Sequence, residues 1–352
     1  MDRREFLGLA GGTLLLTRLP TLQASPADSA DSRSWRRFAL TYHVELAEPG
    51  LEAELWLPLP QNFGDYQRAE IPQWQSNADT AEVRRLGRAE AFFARWRGAA
   101  ERRASVRIEV ATRDRQIDWH RPPRPTPEQE TVLERYLQPT ERVPLDGIVR
   151  DTALAASAGA ETPLQKARAI YDWVVEHSFR DPKVRGCGLG DVKSMLESGN
   201  LGGKCVDINT LYVGLCRAVG IPAREIYGIR VADSRLFKSL GRSGDVTGAQ
   251  HCRAEFYVAE FGWVPVDPAD VRKAVLEEKL PLDDPKIAGL RERLFGSWEM
   301  NWVAFNDEND LRFGPSMMSG FFMYPQARVG GKVLDSLDPE HFSYRIESAS
   351  LS

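Results

Sequence analysis

From Ser34 onward, apolar and polar residues alternate with period two. Phe38, Leu40, Tyr42, Val44 and Leu46 fall on one face, with Arg37, Thr41, His43 and Glu45 on the other. Successive side chains of a strand point to opposite sides of its sheet, so the pattern predicts half-buried strands. It resumes after a Pro49-Gly50 turn with Leu51, Ala53, Leu55 and Leu57. It returns at Val106, Ile108 and Val110, opposed by Arg107 and Glu109. Several such strands over about 85 residues, separated by turn signals, predict a β-sandwich.

The period changes after a proline-rich stretch holding Pro122, Pro123, Pro125 and Pro127, which reads as an extended linker. Thr162-Pro163-Leu164-Gln165 has the form of a capping box with proline at the first helical position. It opens a helix carrying Leu164, Ala167, Ile170 or Tyr171, and Val174 on one side. A second helix places Ile208, Leu211, Tyr212, Leu215 and Val219 on one stripe and ends at Gly220 and Pro222. Strand-like segments follow at 223–231, 252–260 and 262–266, and again in the tail at 300–305 and 342–346. Helices first and an antiparallel sheet after is the α+β order. The expected divisions are 28–118 for the sandwich, 119–127 for the linker, 128–278 for an α+β core and 279–352 for an extension packing on that core.

Composition narrows the function. The 352 residues are 42% hydrophobic and 27% charged, with 46 basic and 50 acidic side chains. A net charge of −4 supplies no field to recruit nucleic acid, and no nucleic-acid partner is expected. Arg84, Arg85, Arg88, Arg95, Arg97, Arg102 and Arg103 are interspersed with Glu82, Glu90 and Glu101, which reads as solvated strand faces. Asn306-Asp307-Glu308-Asn309-Asp310 lacks EF-hand spacing and reads as a surface loop.

Residues 1–27 stand apart from the fold. Arg3-Arg4-Glu5-Phe6-Leu7 precedes a short apolar run ending before Arg18, too short for the roughly 20 residues of a membrane span. Paired arginines followed by Phe-Leu resemble a twin-arginine export signal, with cleavage near Ala27. That implies the twin-arginine export machinery as a partner and a soluble periplasmic product with no integral membrane segment.

Chemistry concentrates at three positions. Cys205 follows Gly202-Gly203-Lys204 and opens the second helix, where the helix dipole and unpaired amides favour a thiolate. Its own amide can face a developing oxyanion. His251 opens one strand and Asp267 ends the next, in Gly262-Trp263-Val264-Pro265-Val266-Asp267-Pro268. Adjacent antiparallel strands would set the carboxylate beside the imidazole, fixing the tautomer that accepts a proton from sulfur. His251 and Cys252, as strand neighbours, are expected on opposite faces, and no CxxC pair exists, so no metal site is expected. Gly186-Cys187-Gly188-Leu189-Gly190 follows a helix, unlike a phosphate cradle. His43, His120, His177 and His341 read as structural, and Cys216 as core.

These residues resemble a known family. Gly203-Lys204-Cys205, with Leu211, Leu215, Cys216-Arg217 and Gly220-Ile221-Pro222-Ala223-Arg224, is similar to the nucleophile helix of the transglutaminase-like superfamily. His251-Cys252-Arg253-Ala254-Glu255 looks like its histidine strand, and the segment 262–268 like its aspartate strand. The stretch from Ser239 to Gln250 and the tail from Gly296 to Trp302 look like a bacterial, secreted branch. The resemblance implies a papain-like fold with Cys205 as nucleophile, His251 as base and acid, and Asp267 as its orienting partner. It implies a protein or peptide amide as substrate, a thioester intermediate, and no cofactor. Trp173 is the upstream tryptophan to weigh as an oxyanion donor. Cysteine peptidase or amidase activity with the same triad, and a catalytically silent binding module, are the competing readings. Cys187 and Cys252 are the first pair to check for a disulfide.

Overall fold

The computed structural model describes residues 34–46, 52–98, 101–121, 124, 126–314 and 317–351. The expected export segment, the expected Pro49-Gly50 turn and the linker residues Pro122, Pro123 and Pro125 lie outside these. The alternating segment forms the strand Arg36–Leu46, paired antiparallel with Arg102–Thr112 so that Phe38, Leu40 and Tyr42 lie opposite Val110, Ile108 and Val106. A second sheet is built around Glu52–Pro58, Ala89–Arg97 and Thr80–Leu86. The inward residues of both sheets, among them Leu40, Ile108, Leu55, Leu57 and Phe92, share one apolar core. The Tyr42 hydroxyl crosses between the layers to the Pro58 carbonyl at 2.6 Å.

Glu52–Pro58 does not alternate as a half-buried strand should, because its other face is covered too. Trp56, Ala91 and Phe93 pack there against Leu311, Phe313, Met317 and Phe322 from the tail. The tail, expected as an extension on the core, is divided. Trp302–Asn306 joins the core sheet, whereas Gln326–Val329 pairs with Glu52–Pro58 and Ser343–Leu351 pairs with Arg36–Leu46. Arg37 therefore lies opposite Leu351, and both ends of the described chain build the sandwich.

The core sheet runs in the order Gly262–Val266, Gln250–Val258, Ala223–Arg230, Trp302–Asn306, every pairing antiparallel. Thr162 caps Pro163–His177 as its sequence predicts: Gln165 N–H donates to Thr162 Oγ1 at 3.2 Å, and Thr162 N–H to Gln165 Oε1 at 3.0 Å. The helix Cys205–Ala218 differs from the single-stripe expectation, since every residue in it is buried. Helices pack on one side and the sheet on the other, so even Asn209, Thr210 and Arg217 are enclosed. Truncating Leu211 or Leu215 there costs roughly 2–5 kcal/mol.

The acidic run 306–310 is not a surface loop. Asp307 and Glu308 are buried: Asp307 Oδ2 accepts from Arg88 at 2.9 Å, Arg224 at 2.9 Å and Tyr136 at 2.6 Å. Glu308 accepts from the Arg88 amide and from Arg135. Basic groups from distant segments neutralise the carboxylates, a compensation no local pattern reveals. The arginine series matches its expectation in part: Arg84 pairs with Glu82 and Arg103 with Glu101, while Arg102 is buried. No helix among the described residues is long and apolar enough to cross a membrane.

Candidate functional site

Cys205 is the first residue of its helix and is 3% exposed. The helix runs alongside the strand Gln250–Val258 in the same direction, with Asn209 against Cys252 and Tyr212 against Phe256. Cys205 thus sits level with the start of the strand, beside His251. The Cys205 N–H has no backbone acceptor among the described residues. That donor is the sort an oxyanion requires.

His251 is buried, and its Nε2 lies 2.7 Å from Asp267 Oδ2. Asp267 does not end a strand. It is the N-cap of the helix Pro268–Glu277, and its Oδ1 accepts from the Asp270 amide at 3.1 Å and from Asn209 Nδ2 at 3.3 Å. One oxygen is therefore spent on holding the carboxylate, and the other is aimed at the imidazole. Asn209 also donates to the Cys252 carbonyl at 2.9 Å, which ties the thiol-bearing helix to the histidine strand. Trp302 Nε1 donates to the His251 carbonyl at 2.8 Å from the other side.

Three charged neighbours have no role assigned by the sequence pattern. Asp270 Oδ1 is 3.5 Å from His251 Nε2, and Arg230 Nη2 is 2.6 Å from the same oxygen. Arg253 Nε is 3.5 Å from Asp267. Burial and Arg230 depress the imidazolium, but Asp270 and Asp267 outweigh them, and the His251 pKa is raised. Burial lifts the Asp267 carboxyl, reinforced by Asp270, whereas Arg230 overcomes burial to hold Asp270 well below its usual range. Two carboxylates thus face two guanidinium groups. His251, Asp267 and Asp270 bring ligand atoms within 4.8 Å of one another, a possible cation geometry. The two guanidiniums already supply the compensating charge there. Asp270, three residues after an N-cap aspartate, sits at the spacing of a capping box, the one local signal that could have found it.

The Cys205 pKa is lowered, first by the Cys187 thiol, then by Cys252, and further by His251, against a burial that would raise it. His251 lines the Cys205 cavity, whereas its strand neighbour Cys252 does not. Cys187 lies in the glycine-rich loop, and its carbonyl accepts the Val206 amide at 3.0 Å. Its S–H points to the Gln250 carbonyl at 3.4 Å, and Tyr324 donates to its sulfur at 3.0 Å. One S–H proton cannot serve both Gln250 and Cys205, and an ionised Cys205 is the stronger acceptor. All four cysteines are free thiols, so Cys187 and Cys252 are not joined. Cys216 is core, its thiol pushed up to about 12 by burial.

The loop 186–190 is held by Asp207 on the first turn of the same helix. Asp207 Oδ1 accepts from Leu189 N–H at 2.8 Å and Gly190 N–H at 2.9 Å, and Oδ2 from Lys204 N–H at 2.9 Å. The glycines wrap a carboxylate of the protein itself. Trp173 stacks on His177 with ring centroids 4.5 Å apart and does not line the Cys205 cavity. That cavity, about 410 Å³, lies between the helix start and the loop before His251. A larger cavity, about 870 Å³, lies against the helix Pro163–His177 and is lined by no cysteine or histidine.

Comparison with known proteins agrees with this architecture. The family model described as Transglutaminase-like superfamily matches residues 150–268. An uncharacterized protein of Haemophilus influenzae (strain ATCC 51907 / DSM 11121 / KW20 / Rd) is 40% identical over 322 residues, covering 85% of this chain and 87% of that one. The crystal structure of a candidate cysteine protease from Cytophaga hutchinsonii superposes with a TM-score of 0.58 at 15% identity, covering 91% of this chain and 92% of that one. The last likeness is one of fold.

Proposed function

The chain belongs to the transglutaminase-like superfamily, and on that premise we propose that it is a cysteine-dependent enzyme in which Cys205, His251 and Asp267 transfer the acyl group of a protein or peptide amide through a thioester. The observation that carries this reading is the 2.7 Å bond from His251 Nε2 to Asp267 Oδ2, set beside a thiol whose pKa is lowered despite burial.

The steps follow from the positions of the groups. With Nε2 bound to Asp267, His251 Nδ1 is the nitrogen left to take the Cys205 proton. The thiolate attacks the amide carbonyl, and charge collects on the carbonyl oxygen, where the Cys205 N–H can donate. The imidazolium returns its proton to the departing nitrogen, the carbon–nitrogen bond breaks, and a thioester remains on sulfur. An amine or a water then gives a proton to His251 Nδ1 and attacks the thioester, releasing the new amide or the acid. The same first half-reaction serves crosslinking and hydrolysis. Asp267 stays ionised throughout and acts by orienting the ring.

The setting we propose is the periplasm, on the strength of the paired arginines and short apolar run at the N-terminus. The test is to mix the protein with glutamine-containing peptides and a labelled primary amine, quench with acid and weigh the intact chain. An acyl adduct on Cys205, with release of ammonia or an amine, is the expected result. An alkylatable Cys205 that forms no adduct with any amide, on peptides or on folded proteins, would favour the binding-module reading.

A further inference from the structure

The groups lining the Cys205 cavity are unevenly matched. Arg180, Lys204, Arg242 and Lys273 all face it, and Glu277 is the one carboxylate among its lining residues. Glu277 is itself turned toward Lys273, 3.9 Å from Nζ. Arg180 and Lys204 have no ion-pair partner among the described residues, and Arg242 gives its Nε only to the Asp245 carbonyl at 2.8 Å. Arg180 stands close enough to Cys187 and to Lys273 to lower the proton affinity of both. Gln250, 8% exposed and next to His251, has a buried Nε2 with no partner. The fifth lining cation, Arg230, is already matched by Asp270.

The cleft therefore offers hydrogen-bond donors and positive charge in excess of its own acceptors. A low-dielectric cleft with one sign of charge focuses its field on whatever enters. A substrate with cationic flanks would be repelled, and a neutral one would leave these donors unanswered. We propose that the acyl donor taken here is an anionic peptide, carrying carboxylates beside the amide that Cys205 attacks. Glutamate- or aspartate-flanked amides, or an amide near a chain-terminal carboxylate, share this chemistry. The inference rests on the reading of Cys205 as the nucleophile.

Two alkylating reagents of nearly equal size separate the claims, one neutral (iodoacetamide) and one carrying a carboxylate (iodoacetate). In both, the thiolate forms a sulfur–carbon bond as iodide leaves. The ratio of the two rates at Cys205, located by peptide mass spectrometry, cancels the thiolate fraction of any one protein. We expect a ratio above that of free cysteine, falling about fivefold in the Arg180→Gln/Arg242→Gln double variant. Should that variant not fold, the wild-type ratio must still fall toward that of free cysteine in about 0.5 M salt. A fast neutral reaction with a ratio insensitive to salt and to the arginines would overturn the anionic preference and leave the nucleophile standing. Failure of both reagents to modify Cys205 would overturn the two together.

Discussion

A β-carbon placed on Gly188 would lie 1.8 Å from Asp207 Oδ2, in a residue whose φ is +97°. The loop that carries Cys187 can close over the Asp207 carboxylate only because it has no side chain at this point. Both the contact and the backbone angle exclude alanine. Gly188→Ala should cost about 2–4 kcal/mol of stability and displace Cys187 from Cys205. Asp207→Ala reaches the same end from the other side, leaving three amides without an acceptor at about 1–3 kcal/mol for each that stays buried. Urea denaturation of the two variants checks this. Wild-type stability in both would contradict it.

Asp270 is expected to set the alkaline limit of activity. It and Asp267 raise the His251 pKa, so the imidazolium's contribution is full below the unfolded value near 6.5 and is lost as pH rises through the folded one. The thiolate's contribution is lost as pH falls through the lowered Cys205 pKa. The ion pair lives between these limits. Asp270→Asn should move the upper limit down and leave Arg230 buried and uncompensated, at a cost of about 3–5 kcal/mol. A pH–rate profile whose upper limb does not move would contradict the assignment.

Cys187 should act as a positioning residue for the thiolate. Its thiol is the largest influence lowering the Cys205 pKa. Cys187→Ala should therefore shift the alkylation profile of Cys205 upward in pH, and Cys187→Ser, which keeps a donor, should restore much of it. Equal profiles for the two variants would mean that Cys187 only fills space.

The buried charge network between sandwich and core makes a separate prediction. Asp307 gathers Arg88, Arg224 and Tyr136, and Arg224 also gives its Nε to Glu255 at 2.7 Å. Asp307→Ala should cost about 3–5 kcal/mol, because an arginine charge is left in the interior. Adding Arg224→Met should cost less than the sum of the separate changes, as members of one network couple. Additive losses in chemical denaturation would argue against a shared network.

What could be read from the sequence was local. The Thr162 cap, the strand Arg36–Leu46 and the placement of Cys205 at a helix start each follow from fewer than a dozen neighbouring residues. So does the pairing of His251 with Asp267, since a short turn joins the strand of His251 to the one that Asp267 directly follows. The rest depends on partners far along the chain. Ser343–Leu351 finds Arg36–Leu46 some 300 residues away, and Asp307 is buried only because Arg88 and Arg224 arrive to meet it. Cys187 reaches Cys205 through a loop clasped by Asp207, and nothing in Gly186–Gly190 alone points to that carboxylate.

The central claim is that Cys205 and His251 form one coupled acid–base pair, and the direct test is the rate of Cys205 alkylation by iodoacetamide against pH in the wild type and in His251→Ala. The account predicts a thiolate titrating well below the free-thiol value of about 8.5, with the profile moving up when the imidazole is removed. A slow thiol with an ordinary profile, indifferent to His251, would contradict it.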